Sequence, residues 1–203
     1  MIQELLAQAA SAWRSTTDIE VIAAFLAVGY TVLAIWQRIE CWVAAFVSSC
    51  LYIWVMFGAH LYMESALNAF YAAVAVYGFW QWRHRLGGGV LEVSRWPWVR
   101  HAAALGGILA LSTVTAYFLR RFTPAASPWI DSMVTWSSVF ATFLAARKVY
   151  ENWHWWLVID SVCVYLYVTR RLFLTMVLFL VYLGLIIVGM REWRRSLTAH
   201  AAP

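Results

Sequence analysis

The chain has 203 residues, of which 64% are hydrophobic and 12% are charged, and its mean hydropathy is +0.68. Soluble domains carry about 25% charged residues, so this composition excludes an ordinary soluble domain and indicates an integral membrane protein. The net charge of +5 comes from basic residues at the ends of apolar runs. Because these residues form no single patch, they argue against a nucleic-acid partner.

The apolar runs approach the ~20 residues that a helix needs to cross a bilayer. Short charged or Gly- and Pro-containing stretches separate them, without the alternation of a β-barrel. We therefore predict an all-α membrane protein with seven spans at about 19–36, 42–58, 61–79, 98–118, 130–146, 153–168 and 172–190. A lead-in at 1–18 precedes the first span, and a tail at 196–203 follows the last repeat described below.

The second half of the chain repeats the first at a shift of 111 positions, the separation of Glu40 and Glu151. Leu and Ala matches are frequent by chance in so apolar a chain, but Trp, Tyr and Gly matches in one register are not. The informative pairs are Trp42 and Trp153, Tyr71 and Tyr182, Gly78 and Gly189, and Trp82 and Trp193.

Each predicted repeat holds three spans, at 19–83 and 128–195, and the segment 84–127 supplies a long loop and one linker span. This is a 3+1+3 arrangement. Because one helix separates the repeats, equivalent helices point the same way, and we predict a parallel repeat about an axis near the membrane normal.

The fifteen Lys and Arg residues distribute unevenly over the two predicted sides. The side that holds the loop after the third span and the C-terminal tail carries ten of them. Basic residues favour the cytoplasmic side, so we predict an N-terminus outside and a cytoplasmic C-terminus.

One segment in the second repeat, YENWHWWLVID, combines aromatic rings with an acid. Trp153, Trp156 and Asp160 stand at i, i+3 and i+7, which places them on one helix face. An acid inside an apolar helix costs about 3 kcal/mol unless something binds it. The face could hold a flat cationic ring, and the alternative is an interfacial tryptophan belt.

These segments resemble a known family. ARKVYENWHWWLVID and LFLTMVLFLVYLGLIIVGMREWR are similar to the second repeat of the PnuC family of bacterial vitamin transporters, and ECW with LYMESALNAFYAAVAVYGFWQW resembles the first. Trp153, Trp156 and Asp160 match the family signature WxxWxxxN/D.

The resemblance implies a SWEET-like fold in a bacterial inner membrane. It also implies facilitated diffusion of nicotinamide riboside, with a separate cytoplasmic kinase that traps the product. Most family members carry Asn at position 160, and relatives handle thiamine, so thiamine is the alternative substrate. No enzymatic constellation, cofactor motif or metal spacing is found, and a membrane enzyme or a nonenzymatic assembly protein are less favoured alternatives. Homo-oligomers are possible.

Further site residues follow from the resemblance and the repeat, each with a structural alternative. Asn68 corresponds to a family substrate residue or holds helices together. Thr135 and Ser138 match small polar family positions, yet their hydroxyls can bond their own backbone. Tyr71 and Tyr182 either face the repeat axis together or serve packing.

Charged residues near the predicted inner loops are candidates for structure first and gating second. We expect Arg38 to pair with Glu40, and Arg147 or Lys148 to pair with Glu151.

Overall fold

The computed structural model describes residues 18–58, 62–83, 91–122, 127–170 and 172–199. Most of the predicted lead-in, the glycine-rich stretch at 84–90 and the last four residues lie outside these ranges. The described residues form seven helices, here numbered in chain order: α1 (Asp18–Ile35), α2 (Glu40–Gly58), α3 (Tyr62–Arg83), α4 (Trp98–Phe122), α5 (Pro128–Ala146), α6 (Asn152–Thr169) and α7 (Phe173–Ala199).

Each helix overlaps one predicted span, so the prediction of an all-α chain is confirmed. The spans were drawn too short at α3, α4 and α7, because hydropathy stops at the first charged residues whereas a helix continues through them. Helix α7 runs to Ala199 and takes in part of the predicted tail. Within the described ranges, three helical stretches are long and apolar enough to cross a membrane by length and composition: Glu40–Gly58, Trp98–Phe122 and Thr175–Thr198.

The helices pack as two groups that meet at two interfaces. We call α1–α3 the N-terminal trio and α5–α7 the C-terminal trio. Helix α2 packs on α1 and α3, helix α6 packs on α5 and α7, and the trios meet through α1 with α7 and α3 with α5. Among the described helices, α4 packs on α5.

Equivalent positions of the two trios make equivalent contacts. Trp42 and Trp82 meet edge to face at 5.5 Å and 89°, and Trp153 and Trp193 do so at 5.5 Å and 90°. Each inner tryptophan lies so close to a glycine of the third helix, Gly78 or Gly189, that an added Cβ would fall within 2.7 Å of its ring. Aromatic pairs of this geometry stabilise by about 1 kcal/mol beyond their burial.

The connection after α3 joins the loop between α5 and α6. Ser94 bridges to Val149: the Ser94 amide donates to the Lys148 carbonyl at 2.9 Å, and the Tyr150 amide donates to the Ser94 carbonyl at 2.8 Å. The linker is thereby fixed to the C-terminal trio at the end of the molecule that carries Lys148.

Candidate functional site

A cavity of about 390 Å³ lies between the two trios and receives side chains from all six of their helices. That volume is within the range of small-molecule sites. Its position between the trios means that any rearrangement of one trio against the other changes the cavity directly.

Most of the site residues predicted from sequence line this cavity. They are Asn68, Tyr71, Ser138, Trp153, Trp156, Asp160 and Tyr182. Thr135 is not among the lining residues, and its hydroxyl donates to the Asp131 carbonyl one turn earlier, at 2.9 Å. Thr135 thus makes the backbone bond that the structural alternative expected.

Asp160 is the one charged side chain among the described residues that line the cavity. It is 5% exposed, and its carboxylate has neither a hydrogen bond nor an ion pair with any described residue. A buried carboxylate without a partner is expensive. The cavity therefore favours a ligand that carries a positive charge or a hydrogen-bond donor.

Trp153 is a fixed part of the cavity wall. It is 3% exposed and is held between Trp193 and Gly189. Its indole N–H is buried with no hydrogen-bond partner in the described structure, and the same holds for the equivalent Trp42, which also lines the cavity. Trp156 is half-buried and packs against two core clusters, one that spans both trios and one within the C-terminal trio.

Five serine and threonine side chains line the cavity, and four of them already donate to a backbone carbonyl. The hydroxyl donors are Thr31 to Ala27 at 3.3 Å, Ser48 to Ala23 at 2.9 Å, Ser138 to Val134 at 2.8 Å and Thr142 to Ser138 at 2.7 Å. The fifth, Ser49, is 7% exposed and makes no hydrogen bond with any described residue.

The predicted charge pairs are present only in part. Arg38 and Glu40 form an ion pair at 2.8 Å on the surface. Arg147 donates to the Tyr77 hydroxyl at 3.2 Å, and its guanidinium lies over the Phe143 ring. Among the described ion pairs, neither Arg147 nor Lys148 pairs with Glu151 as expected from their proximity in the sequence.

Glu151 instead contacts the connection between α3 and α4. Its carboxylate accepts a hydrogen bond from the Trp96 amide at 3.1 Å, and the Arg95 guanidinium lies 3.9 Å away. The Lys148 ammonium turns to the other trio: it donates to the Gln37 side-chain carbonyl at 3.2 Å and lies 4.6 Å above the Trp82 ring. Burial lowers the pKa of Lys148 to about 8.

The sequence interpretation missed Gln37, Trp42 and Ser49, although the repeat contained the signal. A shift of 111 positions places them opposite Lys148, Trp153 and Asp160 respectively. In a two-fold framework, residues equivalent to site residues lie on the facing wall.

A family model described as "Nicotinamide mononucleotide transporter" matches residues 17–195. The chain belongs to this family. The resemblance to PnuC proteins is thereby confirmed, and with it a membrane transporter family that handles vitamins.

Individual relatives differ in the vitamin that their names give. The chain is 30% identical over 147 residues to the riboflavin/roseoflavin transporter RibM of Streptomyces davaonensis, with 68% of each chain covered. It is 22% identical over 201 residues to the nicotinamide riboside transporter PnuC of Escherichia coli, covering 86% of this chain and 83% of that one. The crystal structure of the vitamin B3 transporter PnuC matches with a TM-score of 0.73 at 20% identity, covering 98% of this chain and 90% of that one; this match shows the fold.

Proposed function

We propose that the protein moves nicotinamide riboside across the membrane by facilitated diffusion. The observation that carries this proposal is a cavity between the two trios that contains one unpaired acid, Asp160, beside Trp153 and Trp156. Nicotinamide riboside is a pyridinium cation, and an indole face contributes about 1 to 2 kcal/mol to binding such a ring once water is excluded.

Transport would proceed by alternating access in a 3+1+3 arrangement. The repeat-equivalent contacts of Trp42 with Trp82 and Trp153 with Trp193 support two rigid trios. The mirrored interfaces, α1 with α7 and α3 with α5, support rocking of one trio against the other around the central cavity. Helix α4 would connect the two trios so that their equivalent helices run in the same direction.

The protein would be a multi-pass protein of the bacterial inner membrane. The excess of basic residues at the Lys148 end supports a cytoplasmic location for that end and for the C-terminus. Because passive movement only equalises concentrations, net uptake would need a separate cytoplasmic kinase that converts the vitamin to a phosphate.

Riboflavin is the second candidate, because the riboflavin transporter RibM is 30% identical. Its ring system is flat but uncharged, so it would stack on the indoles without requiring a negative charge. Thiamine, a heteroaromatic cation like nicotinamide riboside, would use Asp160 in the same way.

Uptake into proteoliposomes tests the proposal. Purified protein should let labelled nicotinamide riboside equilibrate across the bilayer without ATP or an ion gradient, and Trp156→Ala should slow this at least tenfold. Riboflavin and thiamine are assayed in parallel, with protein-free liposomes as the control. Movement of riboflavin alone would transfer the assignment to the second candidate, and movement of none of the three would refute transport of these vitamins.

A further inference from the structure

Ser49 stands out from the other hydroxyls of the cavity wall. Inside helices, serine and threonine ordinarily satisfy their hydroxyls on the carbonyl one turn back, and Thr31, Ser138 and Thr142 do so here. Ser49 is 7% exposed, faces the cavity and has no partner in the described structure.

Ser49 is also the repeat equivalent of Asp160, at a shift of 111 positions. Besides the indole N–H groups of Trp42 and Trp153, the cavity therefore presents a second pair of unpaired polar groups at equivalent places on opposite trios, an acid on α6 and a hydroxyl on α2. A ligand that satisfies both must be charged or electron-poor at one end and rich in hydrogen-bonding groups at the other.

We propose that Ser49 is a specificity residue that binds a hydroxyl of the sugar or polyol part of the substrate, opposite the ring that lies against Asp160. This inference deepens the proposed function and rests on it. The subsite would select a riboside or a ribityl compound over the bare ring, whichever vitamin is carried.

The experiment compares each vitamin with its ring alone in Ser49→Ala and Ser48→Ala. Ser48 is the matched control, because it lines the same cavity but its hydroxyl already donates to the Ala23 carbonyl. Binding to purified protein is measured for nicotinamide riboside against nicotinamide and for riboflavin against lumichrome.

We expect Ser49→Ala to weaken binding of the riboside or ribityl compound about tenfold and to leave the affinity for the bare ring unchanged. Ser48→Ala should change the affinities for the two compounds by the same factor. Equal losses for both members of a pair in Ser49→Ala, or no loss, would overturn the subsite while leaving transport intact. If wild-type protein bound none of the four compounds, the subsite and the proposed substrates would fail together.

A second, independent set of contacts joins the two trios at the end of the cavity that carries Lys148. Gln37 and Lys148 are repeat equivalents, and their side chains bond to each other at 3.2 Å. Because they occupy equivalent positions of the two trios, this bond crosses the predicted two-fold axis. The Gln37 amide nitrogen also donates to the Ser196 hydroxyl of α7 at 2.7 Å.

Two tryptophans flank this bond reciprocally. The Trp82 indole N–H of the N-terminal trio donates to the carbonyls of Ala145 and Ala146 at 3.3 and 3.1 Å. The Trp193 indole N–H of the C-terminal trio donates to the Ala34 carbonyl at 3.0 Å. Each trio thus caps the first helix of the other. These contacts border the cavity, because its lining includes Ala34, Ala145 and Trp193.

The backbone at the centre is strained in the same way on both sides. Gln37 and Lys148 have φ of 55° and 50°, a left-handed conformation that costs a non-glycine residue about 1 to 2 kcal/mol. Glycine would avoid that cost but would remove the two side chains that meet. Both residues close a helix C-terminus: the amides of Arg38 and Val149 donate back to the carbonyls of Leu33 and Leu144 at 3.0 and 2.9 Å, as in a left-handed helix cap.

We infer that the Gln37–Lys148 bond, with the two reciprocal tryptophan bonds, is the gate that separates the cavity from this side of the membrane. The native Cys163, which lines the cavity and is 5% exposed, reports on the gate without any substrate. Cys41→Ala and Cys50→Ser leave it as the sole thiol. Labelling by a membrane-impermeant maleimide is then timed in inside-out vesicles and in spheroplasts.

Lys148→Met and Gln37→Ala should each speed labelling of Cys163 from the Lys148 side about tenfold, the shift expected when a hydrogen bond of a charged group is lost. Arg38→Ala is the matched control, because Arg38 neighbours Gln37 but pairs with Glu40 of its own trio, and its rate should not change. Unchanged labelling in both gate variants would overturn the gate, as would equal acceleration in Arg38→Ala.

Discussion

Gly189→Ala probes how firmly the cavity wall is held. A Cβ at Gly189 would lie 2.6 Å from the Cη2 and Cζ2 atoms of the Trp153 ring, whereas ordinary contact begins at 3.4 Å. The ring would have to retreat by about 0.8 Å, the difference between these distances. It cannot do so freely, because it already packs edge to face against Trp193 at a centroid distance of 5.5 Å. Overpacking of this kind destabilises by about 1 to 3 kcal/mol.

Thermal unfolding of the detergent-solubilised protein measures this cost, and vitamin binding measures its effect on the site. Gly184→Ala is the matched control on the same helix, because nothing lies within 4 Å of its added Cβ; a helical Gly→Ala change without a clash is neutral or stabilising by up to about 1 kcal/mol. Gly78→Ala should repeat the loss through Trp42, which would lie 2.5 Å from the new atom. If Gly189→Ala were as harmless as Gly184→Ala in both assays, the packing argument for Trp153 would be refuted.

Three further predictions concern charged groups. Asp160→Asn should weaken binding of cationic vitamins about tenfold and leave riboflavin binding unchanged when both are titrated into the purified protein. Equal effects on both would show that the carboxylate does not distinguish charged from uncharged vitamins. Burial lowers the pKa of Lys148 from its ordinary 10.5 to about 8, so the unfolded chain binds more protons between these values. Stability should therefore rise with pH from about 8 to 10.5, by on the order of 2 kcal/mol, and Lys148→Met should flatten the profile; a wild-type profile that falls in this window would contradict the assignment. Glu151→Gln should cost about 1 to 2 kcal/mol by weakening its bond to the Trp96 amide, whereas Glu40→Gln, which breaks an exposed ion pair, should cost under about 1 kcal/mol; similar melting temperatures would contradict the difference.

The sequence predicted the helices well because their cause is local. Each apolar run is long enough to form a helix by itself, and all seven appear within a few residues of the expected starts. The ends were less predictable. Helix α7 continues through charged residues to Ala199, and hydropathy contains no signal that stops or extends a helix beyond its apolar part.

The partner of Lys148 could not be predicted from its neighbours. Proximity in the sequence favoured Glu151, but the direction of the Lys148 side chain depends on a φ of 50°. Non-glycine residues adopt this left-handed backbone conformation rarely, and no sequence pattern predicts it. The observed partner, Gln37, is distant in the chain and becomes adjacent only through the packing of the two trios.

The cavity residues show which parts of the repeat stayed alike and which diverged. Where the two trios pack in the same manner, the equivalent residues are identical, as in the glycine and tryptophan pairs. At two other equivalent pairs they differ: Asp160 corresponds to Ser49, and Lys148 corresponds to Gln37, to which it bonds. An unsymmetrical ligand needs unlike groups on its two sides, and two lysines on one axis would repel each other, whereas a lysine and an amide can bond. In the proposed mechanism, the two-fold framework would therefore support motion, and its departures from symmetry would supply specificity and closure.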